Sequence, residues 1–294
     1  MANLKEVRIR IASVKSTQQI TSAMKMVAAS KLRKAQNAIV KLRPFAGKLA
    51  GLLQKLSASL DDGIENEYGE QRVPKKVLII VIASNRGLCG AFNANIIKSA
   101  NKLIENTFSL ASKAGNLQLV TIGKKVTEYY HKKTIKVLAS YDDIFDNLTF
   151  ENIAPIAEGF MKAFADKEFD RIIIVYNQFK NAVVQRIVNE QFLPIEPPAI
   201  TTATKGVAPD YIFEPGKEEI INALIPKSLK IQLYKALLDS FASEQGARMT
   251  SMQQATDNAT DLLKELQLAY NKARQWAITK EILEIVSGAE ALKS

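Results

Sequence analysis

Apolar and small residues recur at alternating steps of three and four through the first sixty positions of the chain. This spacing places them on one face of a helix and is typical of a coiled-coil seam. Pro44 lies inside the pattern, and because the seam continues beyond it we expect a kink there and not the end of the helix. At about 1.5 Å per residue the helix would be roughly 85 Å long, which is more than a compact domain needs. The seam positions are Leu4, Val7, Ile11, Val14, Ala28, Leu32, Ala35, Ile39, Leu42, Ala46, Leu49, Leu53, Leu56 and Leu60.

The middle of the chain has a different pattern, in which short apolar runs alternate with amphipathic stretches. This alternation favours a mainly parallel sheet covered by helices. Only six residues join the last two runs, too few for a parallel crossover, so we expect an antiparallel hairpin at an edge of the sheet. The predicted strands are 77–83, 117–122, 135–139, 171–176 and 183–192, the predicted helices are 91–112, 124–132 and 150–167, and 61–75 and 193–210 are predicted to be a polar linker and a loop.

The helical period returns near residue 217. A short helix over 217–224 is predicted to break at Pro226, where a longer helix begins and runs to Val286. Two long helices then bracket the sheet, and their closure as an antiparallel pair brings the ends of the inserted domain together. The predicted fold class is therefore α/β, with a long antiparallel coiled coil of N- and C-terminal helices and an inserted Rossmann-like α/β domain. The predicted domains are 1–60, 76–209 and 217–294, of which the first and last form one discontinuous coiled-coil domain.

The first seam contains a polar interval at Gln18, Thr21 and Lys25. Antiparallel alignment of the predicted helices places these three residues opposite Asn258, Ala255 and Ser251, with an error of one or two turns from the unknown helix ends. Polar side chains surround those positions too, so a polar interval on one helix meets one on the other, as a satisfied buried layer requires. Residues after about Lys272 are predicted to have no partner and to extend alone.

The basic charge of the chain is concentrated in the first helix. Residues 1–60 contain twelve Lys and Arg and a single acid, Glu6, whereas the whole chain has a formal net charge of +10. Partners of this helix are therefore expected to be acidic. Nucleic acid is a poor candidate, because Phe45 is the one aromatic residue among these basic residues and because the apolar seam requires a helical partner.

Candidate catalytic residues are sparse. Residues 84–93 follow the first strand, where a phosphate-binding loop would lie, but they carry neither GxGxxG nor GxxxxGK[ST], and we interpret them as a tight turn. Cys89 and His131 are the single cysteine and histidine, which leaves no set of soft ligands for zinc. We interpret Cys89 as a buried small residue and His131 as a solvated helix end. Asp142, Asp143 and Asp146 are interpreted as a solvated loop, and no catalytic residue, cofactor or metal is predicted.

Several motifs extend over the whole chain. They are RIASV at 10–14 with ITSAMKMVAASK at 20–31, SNRGLCG at 84–90, SEQGARM at 243–249, KELQLAYNKARQ at 264–275 and ITKEILEIVSGA at 278–289. In combination they resemble the gamma-subunit family of F-type ATP synthases. The resemblance implies a central stalk in which the two terminal helices lie inside a hexameric ring of alpha and beta subunits. The α/β domain would lie near the epsilon subunit and the membrane c-ring, with delta as a further candidate partner.

The resemblance also implies a function. Catalysis would belong to the beta subunit, whose acidic loop faces the stalk, and the chain would couple proton-driven rotation of the membrane ring to ATP synthesis there. A bacterial type is expected, because no presequence and no cysteine pair is apparent, at the cytoplasmic face of the inner membrane as a peripheral protein. The residues that the resemblance and the charge pattern assign to the partner interface are Arg8, Arg10, Met24, Met26, Lys31, Arg33, Lys34, Gln267, Arg274, Glu281 and Gly288.

A second functional class stays open at this point. An enzyme that uses a nucleotide on its own α/β domain would have the same fold class. Tight binding of ATP or a dinucleotide by the isolated chain would favour the enzyme over the rotor.

Overall fold

The computed structural model describes residues 4–58, 67–133, 135–195 and 216–291. Contacts between Cα atoms divide the chain into two compact units, unit 1 with Met1–Ala29 and Arg248–Ser294 and unit 2 with Ser30–Ala247. Both divisions fall inside long helices, and the predicted boundaries at 60, 76, 209 and 217 stay a prediction. The elements are α1 (Leu4–Ala58), β1 (Val77–Ile82), α2 (Phe92–Asn106), α3 (Ser109–Lys113), β2 (Leu117–Ile122), α4 (Lys124–Tyr130), β3 (Lys136–Ser140), a 3-10 turn (Asp143–Phe145), α5 (Phe150–Ala165), β4 (Arg171–Phe179), β5 (Gln185–Leu193) and α6 (Lys217–Ala291).

The sheet of unit 2 has five strands in the order β3-β2-β1-β4-β5. The first four are parallel, and β5 pairs with β4 in the antiparallel direction at one edge. The predicted parallel sheet with an edge hairpin is therefore confirmed. The order 3-2-1-4 is that of a doubly wound fold, in which crossover helices cover both faces of the sheet.

Two apolar cores flank this sheet, because alternate residues of each strand point to opposite faces. Leu78, Ile80 and Ile82 of β1 belong to one core, with α5 and part of α6, and Val77, Ile79 and Val81 belong to the other, with α2 and α4. All six side chains of β1 are fully buried. A strand buried on both faces reads as a continuous apolar run, which is why it was recognisable in the sequence.

Part of α6 is a layer of this domain. Leu229, Leu233 and Leu237 are buried in the same core as α5, and the Ser243 hydroxyl donates a hydrogen bond of 3.0 Å to the Asn177 carbonyl of β4. The predicted helix break at Pro226 is wrong, since α6 is continuous through it. Proline removes one backbone donor, but Ile225 and Leu229 are buried in the core, and their burial holds the helical path.

Two further predictions need correction. The predicted helix 91–112 is two helices, because Thr107 ends α2 and the chain turns so that Phe108 lies buried in the core. The described part of the predicted linker, residues 67–75, packs on the domain. Ile195 N–H donates to the Tyr68 carbonyl at 2.9 Å, and the Arg72 guanidinium lies 4.8 Å from the centre of the Phe164 ring. Most of the predicted loop 193–210 lies outside the described residues.

The seam of α1 is confirmed wherever its side chains are described. In unit 2, Leu32, Ala35, Ile39 and Leu49 are buried, and α1 continues past Pro44. In unit 1, Val7 and Ala28 are buried, and Leu4, Ile11 and Val14 are half-buried. The side chains of Leu53 and Leu56, and the whole of Leu60, lie outside the described residues.

Within unit 1, α1 and α6 run antiparallel and meet in the predicted polar interval. The Gln18 amide donates to the Thr260 hydroxyl at 2.7 Å, and the hydroxyls of Thr21 and Thr256 are 2.8 Å apart. The partners lie one or two residues beyond the predicted Ala255 and Asn258, within the stated error. The polar interval is therefore a satisfied layer of side-chain hydrogen bonds.

One turn in the sheet domain depends on a glycine. Gly123, between β2 and α4, has a φ of +107°, and a Cβ atom added there would lie 2.4 Å from the Ala83 carbonyl oxygen at the end of β1. Both the backbone angle and the contact exclude a side chain.

We expect Gly123→Ala to lower the free energy of unfolding by more than about 2 kcal/mol, because the turn must move away from β1. Denaturant unfolding followed by circular dichroism measures this. Gly87→Ala is the matched control, since Gly87 has no atom within 4 Å of the added Cβ. Equal stability of the two variants would contradict the close approach of the β2–α4 turn to β1.

The register in unit 1 can be tested by a disulfide. With Cys89 replaced by Ser, Thr21→Cys with Thr256→Cys should form an intramolecular disulfide on mild oxidation, because side-chain atoms 2.8 Å apart bring two sulfurs within bonding reach. Loss of free thiols and faster migration on a non-reducing gel measure it. Ala23→Cys with Thr256→Cys is the control, since Ala23 is exposed on the other side of α1. Comparable crosslinking of the control pair would show that the register is wrong.

Candidate functional site

The carboxyl edge of the sheet is where doubly wound folds bind their ligands, and it is the first candidate site in unit 2. The Asn85 side chain, just after β1, accepts a hydrogen bond of 3.1 Å from the backbone N–H of Lys124 in the first turn of α4. Its amide donates at 2.6 Å to the Asp142 carbonyl, and the Thr127 hydroxyl donates at 2.9 Å to the Asp142 carboxylate. In a nucleotide site, the Lys124 N–H and the Thr127 hydroxyl would face a phosphate. Here both groups are hydrogen-bonded to side chains of the chain itself.

The loop 84–93 is organised in the same way. The Ser84 N–H donates to the Asn93 side-chain oxygen at 3.1 Å, and the Ser84 hydroxyl donates to the Arg86 carbonyl at 2.8 Å. Cys89 is 2% exposed and accepts a contact of 3.3 Å from the Asn93 amide. The interpretations of this loop as a tight turn and of Cys89 as a buried small residue are confirmed, and the thiol is enclosed by neutral groups.

Among the other candidate residues in unit 2, three are exposed and one is half-buried. His131 follows the last residue of α4 and is exposed, which confirms its interpretation as a helix end. Asp143 and Asp146 are exposed as predicted, whereas the interpretation of Asp142 as solvated is wrong, because it is half-buried and accepts a hydrogen bond from the Thr127 hydroxyl. No group of three or more potential metal ligands occurs among residues 4–58, 67–133, 135–195 and 216–291.

The second candidate is the basic face of α1. In unit 2, Lys31, Arg33 and Lys34 are all exposed, and they alternate with the buried seam residues Leu32 and Ala35. Arg33 and Lys34 thus lie on the side of α1 away from the seam, and Lys31 lies beside the seam. An exposed cationic face of this kind attracts an acidic surface.

In unit 1 the predicted interface residues differ in their exposure and in whether they contact the other helix. Arg10 and Met26 are exposed, and Met24 is half-buried. The Arg8 guanidinium is held against α6, donating to the Tyr270 hydroxyl at 2.9 Å with its carbon 5.8 Å from the ring centre. This hydrogen bond raises the pKa of Arg8. Arg8 therefore presents its charge from a fixed position on the paired helices.

The last part of α6 is an exposed tip, which we define as residues 272–291. On the observed register Leu4 is level with about residue 274, so the tip extends beyond the described start of α1. The prediction that the residues after Lys272 extend alone is confirmed within unit 1. Of the predicted interface residues, Arg274, Glu281 and Gly288 lie exposed on this tip, and Gln267 is exposed just before it.

Sequence reasoning did not assign the apolar residues of the tip to the interface. Six large apolar side chains there are each about half exposed or more, and a cluster of this size on a helix marks a surface that binds a partner. Their spacing, which includes i, i+4, i+7 and i+8 from Ile278, places them on one half of the helix and was the signal in the sequence. They are Trp276, Ile278, Ile282, Leu283, Ile285 and Val286. None of the helices in the described ranges is long and apolar enough to cross a membrane.

The chain is similar to known proteins along nearly its whole length. A family model described as ATP synthase matches residues 3–292. The ATP synthase gamma chain of Cytophaga hutchinsonii is 54% identical over 100% of both chains, and that of Flavobacterium johnsoniae is 57% identical over 99% of both.

A solved structure is also similar. A chain in the central stalk and c-ring structure of Tetrahymena thermophila mitochondrial ATP synthase is 27% identical with a TM-score of 0.60, covering 80% of this chain and 99% of that one. The long paired helices, the inserted sheet domain and the full-length sequence match agree with one another. The chain belongs to the ATP synthase gamma chain family.

Proposed function

We propose that this chain is the central-stalk rotor of an F-type ATP synthase and couples proton-driven rotation of the membrane ring to ATP synthesis at the catalytic beta subunits. The observation that carries the proposal is the exposed tip of α6. It leaves side chains such as Trp276 and Leu283 in water, where they cost free energy unless a partner covers them.

The partners follow from the chemistry of the exposed helices. The apolar tip fits the apolar interior of a ring of alpha and beta subunits, and the basic face of α1 fits acidic segments of the same ring. The sheet domain of unit 2 would contact the epsilon subunit and the c-ring, with delta as a further partner. Arg10, Met26 and Lys31 are the exposed residues of α1 that we expect to contact the ring first.

Transmission of torque requires that the two helices do not slide past each other. In unit 1 the hydrogen bonds of Gln18 with Thr260 and of Thr21 with Thr256 oppose sliding, because displacement by one residue breaks both bonds between the helices. A surface that is basic on one helix and apolar on the other would present different chemistry to each of three beta subunits as it turns. Rotation would then change the nucleotide affinity of each beta subunit in sequence, since each state is favoured by a different contact.

The chain itself would not be catalytic. The side chains of Asn85 and Asp142 already use the polar groups at the carboxyl edge of β1 and β2, and the Gly123 turn approaches β1 too closely for a ligand between them. We place the protein at the cytoplasmic face of a bacterial inner membrane, as a peripheral protein held there through its partners.

Reconstitution tests this proposal. The purified chain should show no ATP turnover and no tight ATP binding, whereas mixing it with alpha and beta subunits should give a stable complex that hydrolyses ATP. A tip deletion after Lys272 should weaken that complex without unfolding unit 2, as circular dichroism can verify. Turnover by the isolated chain, or no assembly with alpha and beta, would refute the rotor.

The basic face gives a second prediction. Replacement of Lys31, Arg33 and Lys34 by Glu should weaken binding to the alpha–beta ring by roughly tenfold at low salt, because three attractive contacts become repulsive. The loss should shrink at high salt, where exposed charges are screened. Titration of the ring at two ionic strengths measures this.

A matched control separates this effect from total charge. Lys98, Lys102 and Lys113 are also exposed, on α2 and α3, and their replacement by Glu changes the net charge equally. We expect little effect on ring binding from that variant. The same loss at both salts for the α1 variant would indicate packing, and an equal loss in both variants would exclude a specific basic face.

A further inference from the structure

A cavity lies within unit 2, between the part of α1 around Leu42 and the part of α6 around Lys235. Its volume is about 280 Å³, at the small end of the range for ligand sites. Apolar groups make up most of its wall, and three charged residues border it. The lining residues are Ile39, Leu42, Arg43, Ala46, Gly47, Lys235 and Asp239.

Asp239 is the unusual member of this lining. The residue is 2% exposed, and its Oδ1 atom accepts no hydrogen bond from the residues that the structure describes. A buried acceptor without a donor costs free energy, so its retention in an apolar wall calls for a function. Leucine at the same position would pack without this cost.

Two cations and one anion act on Asp239. Burial raises its pKa to about 6, Lys235 and Arg43 lower the pKa, and Glu190 raises it. Arg43 also donates a long hydrogen bond of 3.5 Å to the Phe179 carbonyl of β4. Lys235 and Arg43 favour the ionised carboxylate, which is a strong acceptor, and they would repel a full positive charge on a ligand.

We propose that this cavity binds a small neutral molecule that has an apolar, flat or compact body and a single N–H or O–H donor directed at the Asp239 carboxylate. The body replaces water against Ile39, Leu42 and Ala46, and rotation of the Asp239 carboxyl group, whose Oδ1 is otherwise enclosed, brings an oxygen to the donor. The volume admits a body of about the size of indole. A larger ligand or one with a second polar group would leave that group unpaired against the apolar wall.

The ligands of choice for the test are indole and 1-methylindole. They have nearly the same shape, but only indole has an N–H donor. With the full-length chain at about pH 7.5, saturation-transfer NMR titration should give a Kd for indole of roughly a millimolar or below. 1-Methylindole should bind at least about tenfold more weakly, since a hydrogen bond to a charged acceptor is lost.

Two variants identify the site. Gly47 lines the cavity, and a Cβ added there meets no atom within 4 Å, so Gly47→Leu fits the fold, favours the helix and fills the cavity. Gly51→Leu is the matched control one turn along α1, also with nothing within 4 Å and outside the lining. Indole binding should be lost in the first variant and retained in the second.

The third variant tests the acceptor. Asp239→Leu should bind indole and 1-methylindole equally, because selectivity for the donor depends on the carboxylate. Thermal unfolding verifies that each variant is folded. Absence of indole binding by the native chain, equal binding of the two ligands by the native chain, or binding that survives Gly47→Leu would overturn the proposal.

Discussion

The hydrogen-bonded layer between α1 and α6 in unit 1 is the interaction on which the exposed surfaces depend. Small seam residues such as Ala28 and Ala259 pack in more than one alignment of two helices, because they have little shape to match. The hydrogen bonds of Gln18 with Thr260 and of Thr21 with Thr256 form in one register only, and a shift loses about 0.5–1.5 kcal/mol for each, although the threonine hydroxyls keep their bonds to carbonyls of their own helices. The layer therefore determines which residues of α6 lie beside α1 and where the unpaired tip begins.

Helix α6 also has a second environment in unit 2. There it supplies Leu229, Leu233 and Leu237 to the core on one face of the sheet, so the same helix serves as a sheet layer in one unit and as half of a helix pair in the other. Core burial explains why Pro226 lies inside a continuous helix. The same burial makes the carboxyl group of Asp239 costly in free energy. The residue lies directly after apolar residues, in a part of α6 that is packed on more than one side.

Much of this fold could be predicted from the sequence, and the failures have physical causes. The strand Leu117–Ile122 was predicted without error, because a buried parallel strand is a continuous apolar run bounded by polar residues. The register was predicted to within two residues, and no better, because the ends of helices cannot be located from sequence. The split after Thr107 and the continuity through Pro226 depend on tertiary burial that local propensity does not contain. The basic face was visible as unbalanced charge, and the tip was predicted to extend alone with Arg274, Glu281 and Gly288 at the interface, but its apolar side chains were not assigned to that interface.

In the rotor that we propose, the tip of α6 enters an apolar environment supplied by partner subunits. Trp276 is the single tryptophan of the chain and is 49% exposed on that tip, so its fluorescence reports on this directly. In the isolated chain the emission should be that of a hydrated indole and should be quenched by iodide. Addition of the assembled alpha–beta ring should move the emission to shorter wavelength and protect it from iodide, after subtraction of the signal from a complex with Trp276→Phe. Unchanged emission and quenching in a complex that has formed would contradict the account.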